Sequence, residues 1–252
     1  MFKSFLLISC LLNVLSLQAQ YMSSTDTITS SNSKFHVKQL VIPTLLIGHG
    51  VIGIESDGIK GMNTEIRDEL TENIDDKITI DDFSQYAPVA SVYALNLAGV
   101  KGKSNFRDRT TVIATSYLIV AGSVMGLKSL TKIERPDGSS KNSFPSGHTA
   151  TAFAGAEFLW QEYKDVSIWY GITGYVVASG TGLFRMYNDR HWFTDVMAGA
   201  GIGILSTKIA YWVNPFIKKK IFGKKTEESK TSVSFIPFYN REQAGFGVAV
   251  TF

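Results

Sequence analysis

The 252-residue chain has one cysteine, six prolines and four histidines, and its formal net charge is only +3. A single cysteine, Cys10, excludes an intramolecular disulfide and any thiolate metal cluster. So small an excess of cations excludes neither nucleic acid nor a membrane, but it is far too small to suggest a polybasic binder. No internal repeat of fixed period is present, which excludes a solenoid. What the chain has in quantity is apolar surface. Hydrophobic residues make up 44% of it, too many for a disordered polymer. The mean hydropathy of +0.06 is high for a soluble domain and low for a bundle of ideal membrane helices.

The N-terminus reads as an address. Lys3 precedes an apolar run from Phe5 to Leu17, and Ala19 follows it. A basic start, a short apolar core and a small residue are the parts of a secretory signal peptide, with cleavage expected after Ala19. Leu7-Ile8-Ser9-Cys10 resembles a lipobox, but too short an apolar run precedes Cys10. Tyr21 to Phe35 is rich in Ser, Thr and Asn and reads as a linker.

The rest of the chain divides into apolar segments. Gln39 to Ile54 is apolar but contains Pro43, Gly48, Gly50 and Gly53, which are expected to break it. Met62, Ile66, Leu70 and Ile74 recur every fourth residue among acids, the pattern of an amphipathic surface helix. Phe83–Val100 and Thr110–Leu127 each run 18 residues without a charge, and Val166–Phe184 runs 19. Thr149–Trp160 carries only Glu157, and Val196–Val213 only Lys208. These runs are long for strands and lack alternation, so they predict helices. Gly199 and Gly203 have the small-xxx-small spacing of close helix contacts. The tail differs: Val233–Ile236 and Gly245–Phe252 alternate like strands, with Asn240–Gln243 as the turn. The expected fold is therefore all-α: a bundle of about six helices with a site at the helix ends, plus a short C-terminal β-hairpin. The expected organisation is a signal peptide at 1–19, a linker at 20–35, and peripheral helices with an acidic outer region at 36–82. A core at 83–217 and a basic segment with the hairpin at 218–252 complete it.

Three polar clusters flank the apolar helices. They are Lys128 with Arg135-Pro136, then Pro145-Ser146-Gly147-His148, then Arg185 with His191 and Asp195. Lys128, Arg135 and Arg185 suit a multiply charged oxyanion, and arginine pairs with phosphate oxygens two at a time. Ser146, Gly147 and His148 precede or open a helix, whose free N–H groups favour an anion. Gly147 allows close approach to the backbone. His191 and Asp195 are four apart; on a helix they share a face, and the carboxylate can orient the imidazole for attack. His148 is a second imidazole, able to give a proton to a leaving oxygen. No metal-ligand spacing stands near these motifs, so no metal or other cofactor is expected.

These residues resemble the type 2 phosphatidic acid phosphatase and vanadium haloperoxidase superfamily, in its bacterial envelope lipid phosphatase branch. Its pattern is Lys-x6-Arg-Pro, Pro-Ser-Gly-His and Ser-Arg-x5-His-x3-Asp. The match is complete in spacing and departs once, with Phe184 where the family has Ser. The resemblance implies that His191 forms a phosphohistidine, that Asp195 orients it, and that His148 protonates the leaving alkoxide and later activates water. It implies that Lys128, Arg135 and Arg185, with Ser146 and the Gly147 N–H, hold the phosphoryl oxygens. The implied partners are a lipid phosphate and a membrane, with no nucleic acid. Soluble phosphomonoester hydrolysis, vanadate-dependent halide oxidation and a catalytically dead adaptor are the competing implications. The sequence does not fix an oligomeric state.

Charge sets an expected topology. Lys101–Arg109 is net +3 and precedes the first motif by one helix, while Lys218–Lys220 add a basic cluster after the last. Both are expected on the cytoplasmic side, which puts the site in the periplasm. Glu55–Asp82, with ten acids and three bases, is expected beside the site. Five spans satisfy this arrangement, with Gln39–Ile54 packing on the bundle or lying at the interface rather than crossing. Thr149–Trp160 is short for a bilayer crossing of ~20 residues. A periplasmic or outer-membrane-associated bundle is therefore the alternative.

Overall fold

A computed structural model describes residues 37–72, 79–222, 232–240 and 243–251 of the chain. The expected signal peptide, the linker, Ile74, Lys224, Lys225 and the tip of the expected turn lie outside the described residues. Eight α-helices are present among the described residues. A 3-10 turn at Val37–Leu40 leads into α1 (Val41–Glu55), followed by α2 (Asp57–Thr71) and α3 (Ile80–Ser84). Then come α4 (Ala87–Leu97), α5 (Phe106–Thr131), α6 (Gly147–Tyr163), α7 (Ile168–Tyr187) and α8 (Phe193–Phe222).

Local chemistry sets several of the boundaries. Asn105 caps α5 by accepting from the Asp108 N–H, and the helix ends where Lys132 turns left-handed at φ 50°. Ser146 caps α6 and Ser167 caps α7. The apolar run Phe83–Val100 is not one helix: it divides at Gln85–Tyr86, and Pro88 opens α4 within its first turn.

The centre of the bundle is α6. Its alanines at 150, 152, 154 and 156 are all fully buried, because α4, α5, α7 and α8 pack around it. Phe158, Leu159 and Tyr163 from α6 join Val92, Val112, Ile113, Ala210 and Tyr211 in the largest apolar cluster. Polar groups inside the bundle are paired across helices. Ser116 meets Thr207 at 2.7 Å, and Glu157 is clamped by Lys208 and Gln161, each at 2.6 Å, and by Tyr175.

The expected break in Gln39–Ile54 does not occur. Pro43 falls in the first helical turn, where a missing N–H costs nothing, and the helix runs on unbroken. Its glycines are contact points instead. A Cβ at Gly50 would lie 2.6 Å from the Ala198 Cβ, so α1 can lie this close to α8 only without side chains there. Pro43 and Ile47 sit against Gly201 in the same way. Thus α1 runs antiparallel to α8 and ends beside its N-terminus.

Three helices are long and apolar enough to cross a membrane: Val37–Glu55, Phe106–Thr131 and Phe193–Ile221. Their outward faces are apolar too. Leu118, Met125 and Leu130 on α5 are 74%, 68% and 81% exposed, a surface suited to lipid and costly in water.

Candidate active site

The C-terminal ends of α5 and α7 and the N-terminal ends of α6 and α8 meet at one end of the bundle. The three sequence clusters arrive there together. Lys128 lies in the last turn of α5, Arg185 in that of α7, Ser146 caps α6, and Asp195 lies in the first turn of α8. Short segments 132–146 and 188–192 close the end.

His191 is 3% exposed and precedes α8 rather than lying within it. Its Nδ1 stands 3.6 Å from Asp195 Oδ2, inside ion-pair range but too far for a hydrogen bond. The expected imidazole–carboxylate hydrogen bond is therefore not made in this state. Asp195 Oδ2 instead accepts from Ser143 Oγ at 2.5 Å and from the Trp192 N–H at 2.9 Å. The second bond is the returning half of a capping box, an acid at the third helical position reaching back to the cap. Burial chiefly pushes the His191 imidazole down to about 4; Asp195 opposes this, and Lys128 and Arg185 add to it. The ring is thus neutral near pH 7, as a nucleophile or hydrogen-bond acceptor requires.

The cations are held by polar contacts. Lys128 Nζ donates to the Asn142 carbonyl and approaches the Ser143 carbonyl at 3.4 Å. Arg135 Nε donates to Asn142 Oδ1 at 2.9 Å, and its proton affinity is lowered by burial and by Arg185 and Arg190. Arg185 donates to Asp81 Oδ2 at 2.5 Å, while its buried Nε has no partner. Ser146 Oγ is fully buried and engaged with Thr149 Oγ1 at 2.8 Å, so its hydroxyl serves the helix cap. Gly147 is the first residue of α6; a Cβ there would meet Val124 at an ordinary 3.5 Å. Phe184, in the position of the family's Ser, packs edge-on to Tyr187.

His148 is reached by a residue the motifs do not contain. Its Nε2 lies 2.9 Å from Asp82 Oδ1 of α3. The neighbouring Asp81 is buried, with one oxygen on Arg185 and the other on Asn188 Nδ2 at 3.0 Å. The His148 imidazole is pushed below its ordinary value by burial, then by Arg185, with Asp82 and Asp81 opposing. Asp81, Asp82 and His148 each offer a ligand atom within 4.8 Å of the others. Sequence spacing could not reveal this group, since Asp82 and His148 are 66 residues apart. Both Asp81 oxygens are already occupied and a guanidinium stands among them, which disfavours a cation there.

Further contacts frame the mouth. Arg67 of α2 makes a two-point contact with Asp189 at 2.7 and 3.0 Å. Asn63 both accepts from the Thr194 N–H and donates to Thr194 Oγ1. Arg190 meets Asp137 at 3.1 Å, and Trp192 Nε1 donates to the Glu134 carbonyl.

The sequence model of the PAP2 superfamily matches residues 110–219, which carry all three clusters. This part of the chain is similar in sequence to the PAP2 superfamily. Among curated proteins, the Porphyromonas gingivalis "Lipid A 1-phosphatase" is 33% identical over 237 residues, 85% of this chain and 51% of that protein. The Bacillus licheniformis "Bacitracin transport permease protein BcrC" is 34% identical over 74 residues, 29% of this chain and 34% of that protein. The chain thus spans about half the length of the first relative and a third of the second. Two solved PAP2-type structures also align. Aquifex aeolicus LpxE matches at TM-score 0.45 and 22% identity, over 59% of this chain and 94% of that one. The transmembrane PAP2-type phosphatidylglycerolphosphate phosphatase of Bacillus subtilis matches at 0.47 and 22%, over 75% and 98%.

Proposed function

We propose that the chain is a membrane-associated phosphatase that hydrolyses phosphate monoesters or pyrophosphates of lipids, without a metal, through a phosphohistidine on His191. The observation that carries this reading is a buried, neutral His191 beside Lys128 and Arg185 at the mouth of an apolar bundle. Lys128, Arg135 and Arg185 hold the phosphoryl oxygens, with the α6 N-terminus at Gly147 adding backbone N–H groups and Ser146 shaping that turn. His191 Nε2 attacks phosphorus, because Nδ1 faces Asp195. As the bond from phosphorus to the lipid oxygen breaks, His148 gives that oxygen a proton. Water then attacks the phosphohistidine, His148 takes its proton, and inorganic phosphate leaves. Asp195 steadies the positive charge that builds on His191, closing the 3.6 Å gap when the ring becomes cationic.

The relative named Lipid A 1-phosphatase makes the 1-phosphate of lipid A the first lipid to test. The exposed apolar faces of α5 and α1 support presentation from a bilayer. The basic far end supports a bacterial inner-membrane location with the site facing the periplasm. For the tail, a hairpin reading is supported by antiparallel pairing of Ser232–Asn240 with Gln243–Thr251, with Val233 opposite Val250.

The deciding experiment is phosphate release by the full chain in detergent micelles with excess EDTA. Lipid A would be compared with p-nitrophenyl phosphate. Release from the lipid at a much higher kcat/KM is the expected result. Equal turnover of both would replace the lipid reading with a general phosphomonoesterase, and dependence on added metal would overturn the metal-free mechanism.

A further inference from the structure

We propose that Asp82 is a positioning residue for His148, so that the site works with two carboxylate–imidazole pairs where the sequence motifs account for one. The inference rests on His148 being the proton donor of the proposed reaction.

The geometry begins with α3, which has only five residues and yet is fixed at two points. Asp81 is 1% exposed and joined to Arg185 and Asn188 at the end of α7. Ser84 Oγ meets Thr181 Oγ1 of α7 at 2.8 Å. Between these anchors, Asp82 places Oδ1 2.9 Å from His148 Nε2. Gln85 Nε2 donates to the Asp82 carbonyl at 2.9 Å, which steadies the backbone at that residue. Two adjacent carboxylates on one short helix therefore have separate tasks: Asp81 fixes the element and Asp82 addresses the imidazole.

The charged groups facing His148 come from two elements. Arg185 of α7 disfavours a proton on the ring, as does burial, while Asp82 and Asp81 of α3 favour it. Asp81 is already neutralised by Arg185. Remove Asp82, and the ring is left with burial and a guanidinium, both of which favour the neutral form. A neutral imidazole is a poor proton donor to the leaving oxygen, because its one N–H is far less acidic than that of an imidazolium. With Asp82 in place, the imidazolium keeps its Nε2–H on the carboxylate and gives the proton of the other nitrogen to the leaving oxygen. The emptied nitrogen then accepts the proton of the attacking water. The ring ends the cycle as it began, and Asp82 remains a carboxylate throughout.

The test uses the full chain in micelles: wild type, Asp82→Asn, Asp82→Glu, His148→Ala, and Asp82→Asn with His148→Ala. Two readouts are needed. The first is kcat/KM against pH for an aryl and an alkyl phosphate. The second is an NMR titration of ring-labelled histidine, in which His148 is assigned among four histidines by its loss in His148→Ala. In Asp82→Asn, the His148 titration and the basic limb of the rate profile should both move down by about one pH unit. The alkyl ester should lose ~10-fold more than the aryl ester, whose leaving group needs no proton. Asp82→Glu should restore both, and the double variant should be no slower than His148→Ala alone. An unmoved His148 titration, or equal losses on both esters, would overturn the proposal. Should the wild type release no phosphate from either ester, the phosphatase reading falls, and the titration alone decides whether the pair exists.

Discussion

His191 is a buried imidazole, 3% exposed. On the proposed reading it is the nucleophile, and His191→Ala should reduce phosphate release to background in the EDTA assay. Its burial makes a second, independent prediction. The folded protein holds the imidazole near 4, whereas an unfolded chain titrates near the ordinary ~6.5. Between those values the unfolded state binds more protons. Stability present above pH 6.5 is therefore lost progressively as pH falls toward 4. Thermal unfolding in micelles should show that acid-side loss in wild type and a shallower one in His191→Asn; identical slopes would contradict the buried neutral ring. The eight candidate site residues could be picked out in sequence because the family motifs fix their spacing, and the structure brings their elements to one end. Asp81 and Asp82 were not legible. They lie in a run of acids that reads as solvated surface, and only the fold brings Asp82 to His148, 66 residues along the chain. The His191–Asp195 pair was legible in part: the spacing is right, but His191 stands outside the helix that the i,i+4 argument assumes.

At the scale of elements, the site depends on how closely α6 and α8 approach. A Cβ on Gly203 would collide with the Ala150 carbonyl oxygen and lie 2.8 Å from the Ala154 N, both backbone atoms that cannot turn aside. Gly203→Ala should therefore force the helices apart, cost about 1–3 kcal/mol of stability, and lower kcat by moving His148 relative to Asp195. Gly122→Ala on α5 has open space for its methyl group and serves as the control, neutral or slightly stabilising. Small-residue spacing in the sequence marked Gly199 and Gly203 as contact points. Taking Pro43 and the glycines of α1 as breaks misread that helix, because a glycine in a sequence signals either a break or a close approach, and only a neighbouring helix distinguishes them. The element least visible beforehand was α2 as a support for α8. Asn63 satisfies the Thr194 N–H in the first turn of α8, an orphan donor at a helix start. Asn63→Ala should cost about 1 kcal/mol, measured by thermal shift, and should raise backbone exchange at 192–195.

For the whole molecule, the two ends differ in charge, and that difference supports the proposed orientation. Lys218 pairs with Asp108 at 2.6 Å, so the basic loop before α5 and the basic end of α8 share the end away from the site. Glu55 and α2 lie at the site end, since α1 finishes beside Thr194. A crossing by α1, for which it is long and apolar enough, would put residue 37 on the side of the basic end. That conflicts with a leader cleaved after Ala19, which would deliver residue 20 to the periplasm and leave only a polar stretch to recross. Charge and cleavage cannot both hold if α1 spans the bilayer. The positive-inside rule draws on two clusters that the fold places together, so it is the stronger guide. Single cysteines introduced in a Cys10→Ser background test it, with Lys132→Cys at the site end and Lys103→Cys at the other. In intact cells whose outer membrane is permeabilised, an impermeant maleimide should label the first. It should reach the second only after the inner membrane is opened. The mass of the purified chain then decides the remaining question. With that labelling, retention of the Phe5–Leu17 segment means that α1 crosses and the bundle has six spans. Loss of the first 19 residues with the same labelling would mean that α1 packs along α8 without crossing.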